Sequence, residues 1–270
     1  MSKPPVPAIV FADIDSVPPV SLFDRGDRLA AVLETLAMRR ITLVICSRRT
    51  RAEVESIRQD LGIFHPFVCE NGAAAFVPER YFGSDPENTR KVGGYQAIEF
   101  GSPYEQVVDT VRRVADRLGL RVQGFHDMSV EQVSREYGLS LLEARLAKLR
   151  EYSEPFRLLA ANPVAEYRLL KALGSAGLTC VTLGPFHHAG TVPGAGAAVA
   201  VLTTLYRLAF GAIVTAAVGS GALPADIAPK VDLRLETTPG GPVDWLGAIV
   251  RDIDNIREAR LPRPAARYAR

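Results

Sequence analysis

The chain has 270 residues, 47% of them hydrophobic, and its 32 Lys and Arg nearly balance 30 Asp and Glu. That length and apolar content are enough for a large core, in one elaborate domain or two modest ones. The balanced charge supplies no field that would draw the chain to nucleic acid or an anionic membrane, so the expected partner is a small molecule met by a monomer or homodimer. No charged-then-apolar leader opens the sequence, and no uncharged apolar run reaches the roughly 18 to 20 residues of a membrane helix, so a cytoplasmic protein is expected. Cys46, Cys69 and Cys180 are widely spaced beside apolar, strand-like residues and read as buried free thiols.

In chain order, Ala8 to Ala12 and Ile41 to Cys46 predict buried strands separated by the amphipathic stretch Arg28 to Arg40, a βαβ unit with a parallel sheet. A short strand at His65 to Cys69 runs into the turn signal Glu70-Asn71-Gly72 and then Ala73 to Val77. From Arg80 to Gly94 the sequence is polar and aperiodic, and we place a domain boundary there. Helix starts with capping chemistry follow at Ser102-Pro103-Tyr104-Glu105, Ser129-Val130-Glu131-Gln132 and Ser140-Leu141-Leu142-Glu143. Strand-like runs at Phe156 to Ala160 and Leu178 to Leu183 flank a further helix, giving an α+β insert. After Gly190 the parallel-sheet pattern returns, with a small-residue helix through Ala197 to Leu208 and apolar runs at Ala212 to Val218 and Val231 to Leu235. The expected organisation is a discontinuous α/β core (1–80 and 190–256), an inserted α+β cap (81–189) and a basic tail (257–270). The tail holds five arginines with Pro262 and Pro264 and reads as a solvated or oligomer-contacting end.

Asp13 and Asp15 follow the first strand. Alternate residues of an extended chain point the same way, so both carboxylates can face one pocket at the strand's carboxyl end. That arrangement suits a two-step phosphoryl transfer in which Asp13 attacks phosphorus and Asp15 serves as acid and then base. Two carboxylates meeting a phosphate dianion call for a cation, Mg²⁺ being the natural one. A strand-end turn with two solvated acids is the alternative. Ser47 ends the second strand at the same sheet edge, as a hydroxyl donor to a phosphoryl oxygen or as a turn residue.

The order Asp13-Ile14-Asp15, Ser47, Glu70-Asn71-Gly72-Ala73 resembles the haloacid dehalogenase (HAD) superfamily, in the subclass with a large α/β cap. That resemblance implies a Rossmann-like parallel-sheet core with the cap inserted after the third core strand. Within the insert, Gly124-Phe125-His126-Asp127-Met128-Ser129-Val130-Glu131, Glu143 to Ala147 and Arg150-Glu151-Tyr152-Ser153-Glu154-Pro155-Phe156 resemble the mannosyl-3-phosphoglycerate phosphatases, over a span from Ile9 to about Val250. The resemblance implies Mg²⁺-dependent hydrolysis of a phosphorylated sugar or glycerate derivative through an aspartyl phosphate. It makes Asp13 the nucleophile, Asp15 the acid/base and Ser47 the phosphate ligand, and Arg48 beside Ser47 is a further phosphate-binding candidate. Arg150 and Glu154 become cap contacts to substrate, a structural pairing across the cap being the alternative; His187 and His188, where the cap chain returns to the core, are either substrate contacts or packing residues, and Asp13, Asp15 and Asp226 are the candidate metal ligands.

The chain departs from the family pattern at three points. Ser16 and Val17 follow Asp15 where the family has Gly-Thr or similar. Thr191-Val192-Pro193-Gly194-Ala195-Gly196-Ala197 replaces an Asp-Lys-Gly signature, so its lysine is absent. Gly219-Ser220-Gly221-Ala222-Leu223-Pro224-Ala225-Asp226 replaces Gly-Asp and Asn-Asp, leaving Asp226 as a displaced acid that is either a metal ligand or an exposed turn residue. Charge-assisted bonds are worth roughly 1.5 to 3 kcal/mol each, so losing the lysine predicts chemistry slower by about one to two orders of magnitude unless another cation substitutes. Lys171, Lys230, Arg48 and Arg49 are candidate substitutes, and Gly194-Ala195-Gly196 is either an anion-facing turn or a close-packing one. Two functions follow from these residues: an active or attenuated phosphatase, or a catalytically inactive HAD-like protein that binds a phosphorylated ligand or a protein partner.

Overall fold

The computed structural model describes residues 6–15, 33–159, 162–220, 227–237 and 242–260. β1 (Ala8–Asp13) and β2 (Ile41–Cys46) pair in parallel, with residues 33–38 of their connection helical. Next come α1 (Arg51–Asp60), β3 (Phe67–Cys69), β4 (Ala74–Pro78), β5 (Arg90–Val92) and β6 (Tyr95–Glu99). The insert carries α2 (Tyr104–Arg117), β7 (Val122–Gly124), α3 (Val130–Tyr137), α4 (Leu141–Ala147), β8 (Glu154–Leu158), α5 (Pro163–Ser175), β9 (Thr179–Leu183) and β10 (Phe186–Gly190). The chain then returns through α6 (Gly196–Phe210), β11 (Val214–Ser220), β12 (Leu233–Thr237) and α7 (Pro242–Arg260).

The core sheet has the order β12-β11-β1-β2-β3-β4-β6-β5, parallel from β12 to β3 and antiparallel beyond. β1 is apolar along its length because both its faces are covered. Ile9 and Phe11 meet Val199, Leu202 and Tyr206 of α6 on one side, while Ala8, Val10 and Ala12 meet Ile249 and Ile253 of α7 on the other. The α/β core with its inserted cap agrees with the sequence expectation. The boundary expected at residue 81 falls inside this sheet, however, since β5 and β6 pair onto β4 and extend it to Glu99. Their polar composition suits a strand pair at the sheet edge, where one face stays wet. At the other end of the chain, Arg257 is 6% exposed and is not part of a solvated tail. It lies within α7 and donates to the carbonyls of Val6 and Arg39, tying the helix to the sheet. Residues 261–270 lie outside the described part.

The cap sheet has the order β7-β8-β10-β9, all antiparallel. Phe156, Leu158 and Ala189 pack on α2 and α5 on one face, and Phe186 joins Phe125, Met128 and Val133 on the other. Ser129 and Ser140 form the expected capping boxes, with Gln132 and Glu143 as reciprocal partners. The box expected at Ser102 does not form. α2 begins after Pro103, and the Tyr104 N–H donates instead to the carbonyl of Glu151 at 2.8 Å, so a tertiary contact takes the place of a local cap.

Glu70-Asn71-Gly72 joins the two bodies. All three residues have positive φ (47°, 58° and 89°), a conformation costly for the first two. The buried Glu70 carboxylate accepts from the N–H groups of Glu151 (2.8 Å) and Tyr152 (3.2 Å) and from the hydroxyl of Ser153 (2.6 Å). Gly72 packs directly on the start of α6: a Cβ there would lie 2.3 Å from the Gly194 carbonyl oxygen and 2.4 Å from Ala195 Cα. Gly194 and Ala195 thus pack closely against this turn. Gly72→Ala should therefore destabilise the fold by about 2 kcal/mol or more. Thermal unfolding of the variant against the parent checks this.

Candidate active site

The register Asp13↔Cys46 in β1 and β2 brings the first strand's acid level with the residue before Ser47. Asp13 is half-buried at the end of β1, and its Oδ1 accepts the backbone N–H of Asp15 at 3.0 Å. Asp15 lies in the turn that follows, and its carboxylate is held by the loop after β2. Ser47 Oγ donates to its oxygens at 3.0 and 3.1 Å, and the Arg48 N–H donates to Oδ2. The guanidinium Nε of Arg49 lies 3.4 Å from Oδ1 and that of Arg48 3.6 Å from Oδ2. That loop is fixed from below, since the carbonyls of Ser47 and Arg49 accept from Asn71 N–H and Glu70 N–H. Both aspartates also lie near the Cys46 thiol, whose pKa is pushed up, first by burial and then by their charge. Cys69 and the half-buried Cys180 are pushed up by burial as well, so these thiols are not poised as nucleophiles.

A cleft of about 380 Å³ opens above the cluster. Its core wall is Asp15, Arg48 and Arg49, and its cap wall is Glu136, Tyr137, Arg150, Leu183, Pro185, Phe186 and His188. Tyr137 and Phe186 form an apolar platform, their ring centroids 4.0 Å apart. The Tyr137 hydroxyl is buried and has no hydrogen-bond partner among the described residues.

The sequence-derived candidates divide along this cleft. Asp15, Arg48, Arg150 and His188 line it; Asp13 and Ser47 adjoin it through Asp15. Arg150 is only 5% exposed in its side chain. It donates to the Arg48 carbonyl at 2.8 Å, to the Ala147 carbonyl and to Ser153 Oγ, so it props the core loop from the cap side. Strand alternation separates the two histidines. His187 packs inward against Thr182 and Glu166, while His188 lines the cleft together with Arg48 and Arg150. Burial, reinforced by both arginines, lowers the His188 pKa to about 3, so it enters the site as a neutral imidazole. Glu154 lies apart from the cleft, 2% exposed under β7, accepting from Tyr104 O–H and His126 N–H. Asp226 falls outside the described residues. Among the described residues no three His, Cys, Asp or Glu side chains converge as a metal site. The donors at the strand end are carboxylate oxygens, and this hard set suits Mg²⁺, which commonly takes one or two carboxylates and completes its shell with water and substrate phosphate. Sequence reasoning did not single out Tyr137 or Phe186, and it marked Glu70 only as part of the Glu70-Asn71-Gly72-Ala73 turn and motif, without a role for its side chain.

Known proteins share this architecture. A glucosyl-3-phosphoglycerate/mannosyl-3-phosphoglycerate phosphatase from Methanococcoides burtonii is 33% identical over 241 residues, 87% of each chain. The chain belongs to the glucosyl/mannosyl-3-phosphoglycerate phosphatase family. A second member, from Persephonella marina, is 31% identical over 75% of this chain and 74% of its own. No protein-family profile matches the chain. Among solved structures, a HAD phosphatase from Bacteroides thetaiotaomicron superposes with a TM-score of 0.55 at 14% identity, over 91% of this chain and 95% of its own. A HAD subclass IIB sugar phosphatase gives 0.52 at 14% identity, over 92% and 98%. These likenesses establish the HAD fold. Within the described residues no helix is long and apolar enough to cross a membrane.

In this family member the run Arg150 to Glu154 serves the junction of cap and core through Arg150, Glu151, Tyr152 and Ser153, and the cap interior through Glu154. Burial raises the Glu154 pKa from 4.5 to about 7, offset in part by its hydrogen bonds and Arg150. The raised value means that the folded chain holds a proton there that the unfolded chain has released. Stability contributed by the neutral carboxyl is complete below pH 4.5 and lost as pH rises through about 7. The melting temperature of Glu154→Gln relative to the parent should therefore rise across that window and level off above about pH 8. A difference that stays constant with pH would contradict the buried, proton-binding carboxyl.

Proposed function

We propose that the protein is a Mg²⁺-dependent phosphomonoester hydrolase acting on a phosphorylated sugar or glycerate compound of the glycosyl-3-phosphoglycerate class. The observation that carries this reading is the cluster of Asp15, Ser47, Arg48 and Arg49 beside Asp13, at the carboxyl ends of two adjacent parallel strands and open to a cleft closed by the cap. Family membership supports the substrate class, and the shared cleft supports selection by the cap. Asp13 attacks phosphorus while the bond to the leaving oxygen breaks and Asp15 protonates that oxygen. Asp15 then takes a proton from water, which attacks the aspartyl phosphate and releases inorganic phosphate. Ser47 and the Arg48 N–H, which now hold the Asp15 carboxylate, are the donors within reach of a phosphoryl oxygen. Mg²⁺, held by Asp13 and Asp15 with Asp226 as a third candidate, would neutralise charge on the phosphate. Arg150 orients the Arg48 loop, and neutral His188 can donate or accept one hydrogen bond to substrate.

A second reading, a catalytically inactive binder of a phosphorylated ligand, is favoured by the α6 start, where the Gly194–Ala195 backbone packs against Gly72 and no cationic side chain stands. Stabilisation by sugar phosphates without turnover would support it. Under the hydrolase reading, Asp13→Asn should lower Mg²⁺-dependent phosphate release from glycosyl phosphoglycerates by about three orders of magnitude or more. Asp15→Asn should lower it by about 10²- to 10⁴-fold. Release that persists undiminished in Asp13→Asn would exclude Asp13 as nucleophile.

A further inference from the structure

A cleft that brings a phosphate dianion to two carboxylates needs a fixed positive charge beside the transferring group. The lysines of the described chain do not supply it. Lys91 pairs with Glu79, the Lys148 ammonium is given to the carbonyls of Phe125 and Met128, and Lys171 and Lys230 are exposed, on α5 and just before β12. The cations that line the cleft are Arg48, Arg49 and Arg150. Arg150 spends its guanidinium on the Arg48 and Ala147 carbonyls and on Ser153.

Arg49 is placed differently. Its Nε lies 3.4 Å from Asp15 Oδ1, and its Nη1 lies 3.9 Å from Glu53 Oε1. Glu53 is itself immobilised, since its Oε2 accepts from the Thr50 N–H at 2.9 Å and its own N–H donates to Thr50 Oγ1 in the capping box of α1. Thr50 in turn donates to the Leu146 carbonyl of the cap at 2.9 Å. The guanidinium is therefore oriented by two carboxylates before any ligand arrives, which lowers the cost of fixing it on binding. Its side chain is still about a third exposed, at 32%, and faces the cleft.

We propose that Arg49, braced by Glu53, is the cation that binds and neutralises the transferring phosphoryl group, with the Asp15 carboxylate standing in for a phosphoryl oxygen in the ligand-free arrangement. This deepens the hydrolase reading and rests on it for the catalytic half; the anion-binding half can be measured without turnover.

The test uses full-length protein carrying Arg49→Ala, Arg49→Lys or, as a control on an exposed lysine away from the cleft, Lys171→Ala. Two quantities are read: kcat and KM for Mg²⁺-dependent phosphate release, and the affinity for inorganic phosphate by calorimetry. Arg49→Ala should lower kcat by roughly 10- to 100-fold and weaken phosphate binding by about tenfold. Added guanidinium ion should restore part of the rate, Arg49→Lys should fall between parent and Ala, and Lys171→Ala should match the parent. Guanidinium rescue separates a charge role from a structural one. If Arg49→Ala fails to fold, the Arg49→Lys phosphate affinity decides, parent-like binding and rate without any deficit counting against the proposal. Arg49→Ala that binds phosphate and turns over within twofold of the parent overturns the assignment. If the parent binds phosphate but hydrolyses nothing, the hydrolase reading fails, and the binding loss in Arg49→Ala alone upholds or rejects Arg49. A parent that does neither overturns both.

Discussion

The buried carboxylate of Glu70 is the constraint on which the site depends. It sits in a left-handed backbone conformation at the end of β3, 2% exposed, and receives two backbone N–H groups and a hydroxyl from the cap's 151–153 segment. Burial pushes its pKa up, and the Arg150 charge, Ser153 and the two N–H groups oppose that shift. A carboxylate in this position is tolerable only while those donors are present, because an unpaired buried charge costs several kcal/mol. The same turn donates the N–H groups of Glu70 and Asn71 to the carbonyls of Arg49 and Ser47. The loop that holds Asp15 and the segment that bears the cap are therefore fastened to one three-residue turn.

Fastening both to one place has consequences for the cleft's charge. Arg150 comes down from the cap onto the Arg48 carbonyl, Arg51 pairs with Glu151 at 2.8 Å, and Thr50 reaches the Leu146 carbonyl. Arg48 and Arg49 are held toward Asp15 by this lattice, and a cationic rim forms from the core side. The packing of Gly72 on Gly194 and Ala195 makes the α6 start a structural contact, so positive charge is concentrated on the β2 loop instead. Across the cleft the cap presents His188, Tyr137 and Phe186, with Glu136 exposed at its edge and Arg150 turned onto the Arg48 carbonyl.

Much of the fold was legible along the chain. β2 lies at the residues its apolar run marks, because a strand covered on both faces must be apolar throughout, and the helix of small residues after Gly190 is α6, with one face buried on the sheet. The capping boxes at Ser129 and Ser140 are local chemistry and form as read. β5, β6 and β10 were not legible: they are short and carry Arg90, Lys91, Gln96, His187 and His188, and their strand character comes from the neighbours they pair with. The failed cap at Ser102 has the same cause, a distant carbonyl meeting the need that a local side chain was expected to meet.

By itself the sequence determined the family, the two-body plan and the Asp13-Ile14-Asp15 and Ser47 positions, because these depend on local periodicity and on motifs a few residues long. The tertiary structure alone decided which cations stand at the acid. Arg48 and Arg49 lie more than thirty residues from Asp15 along the chain, yet parallel pairing of β1 with β2 brings their loop against it. It also decided that Glu154 lies inside the cap and His188 faces the cleft, since burial and side-chain direction follow from packing between elements that sequence spacing does not encode.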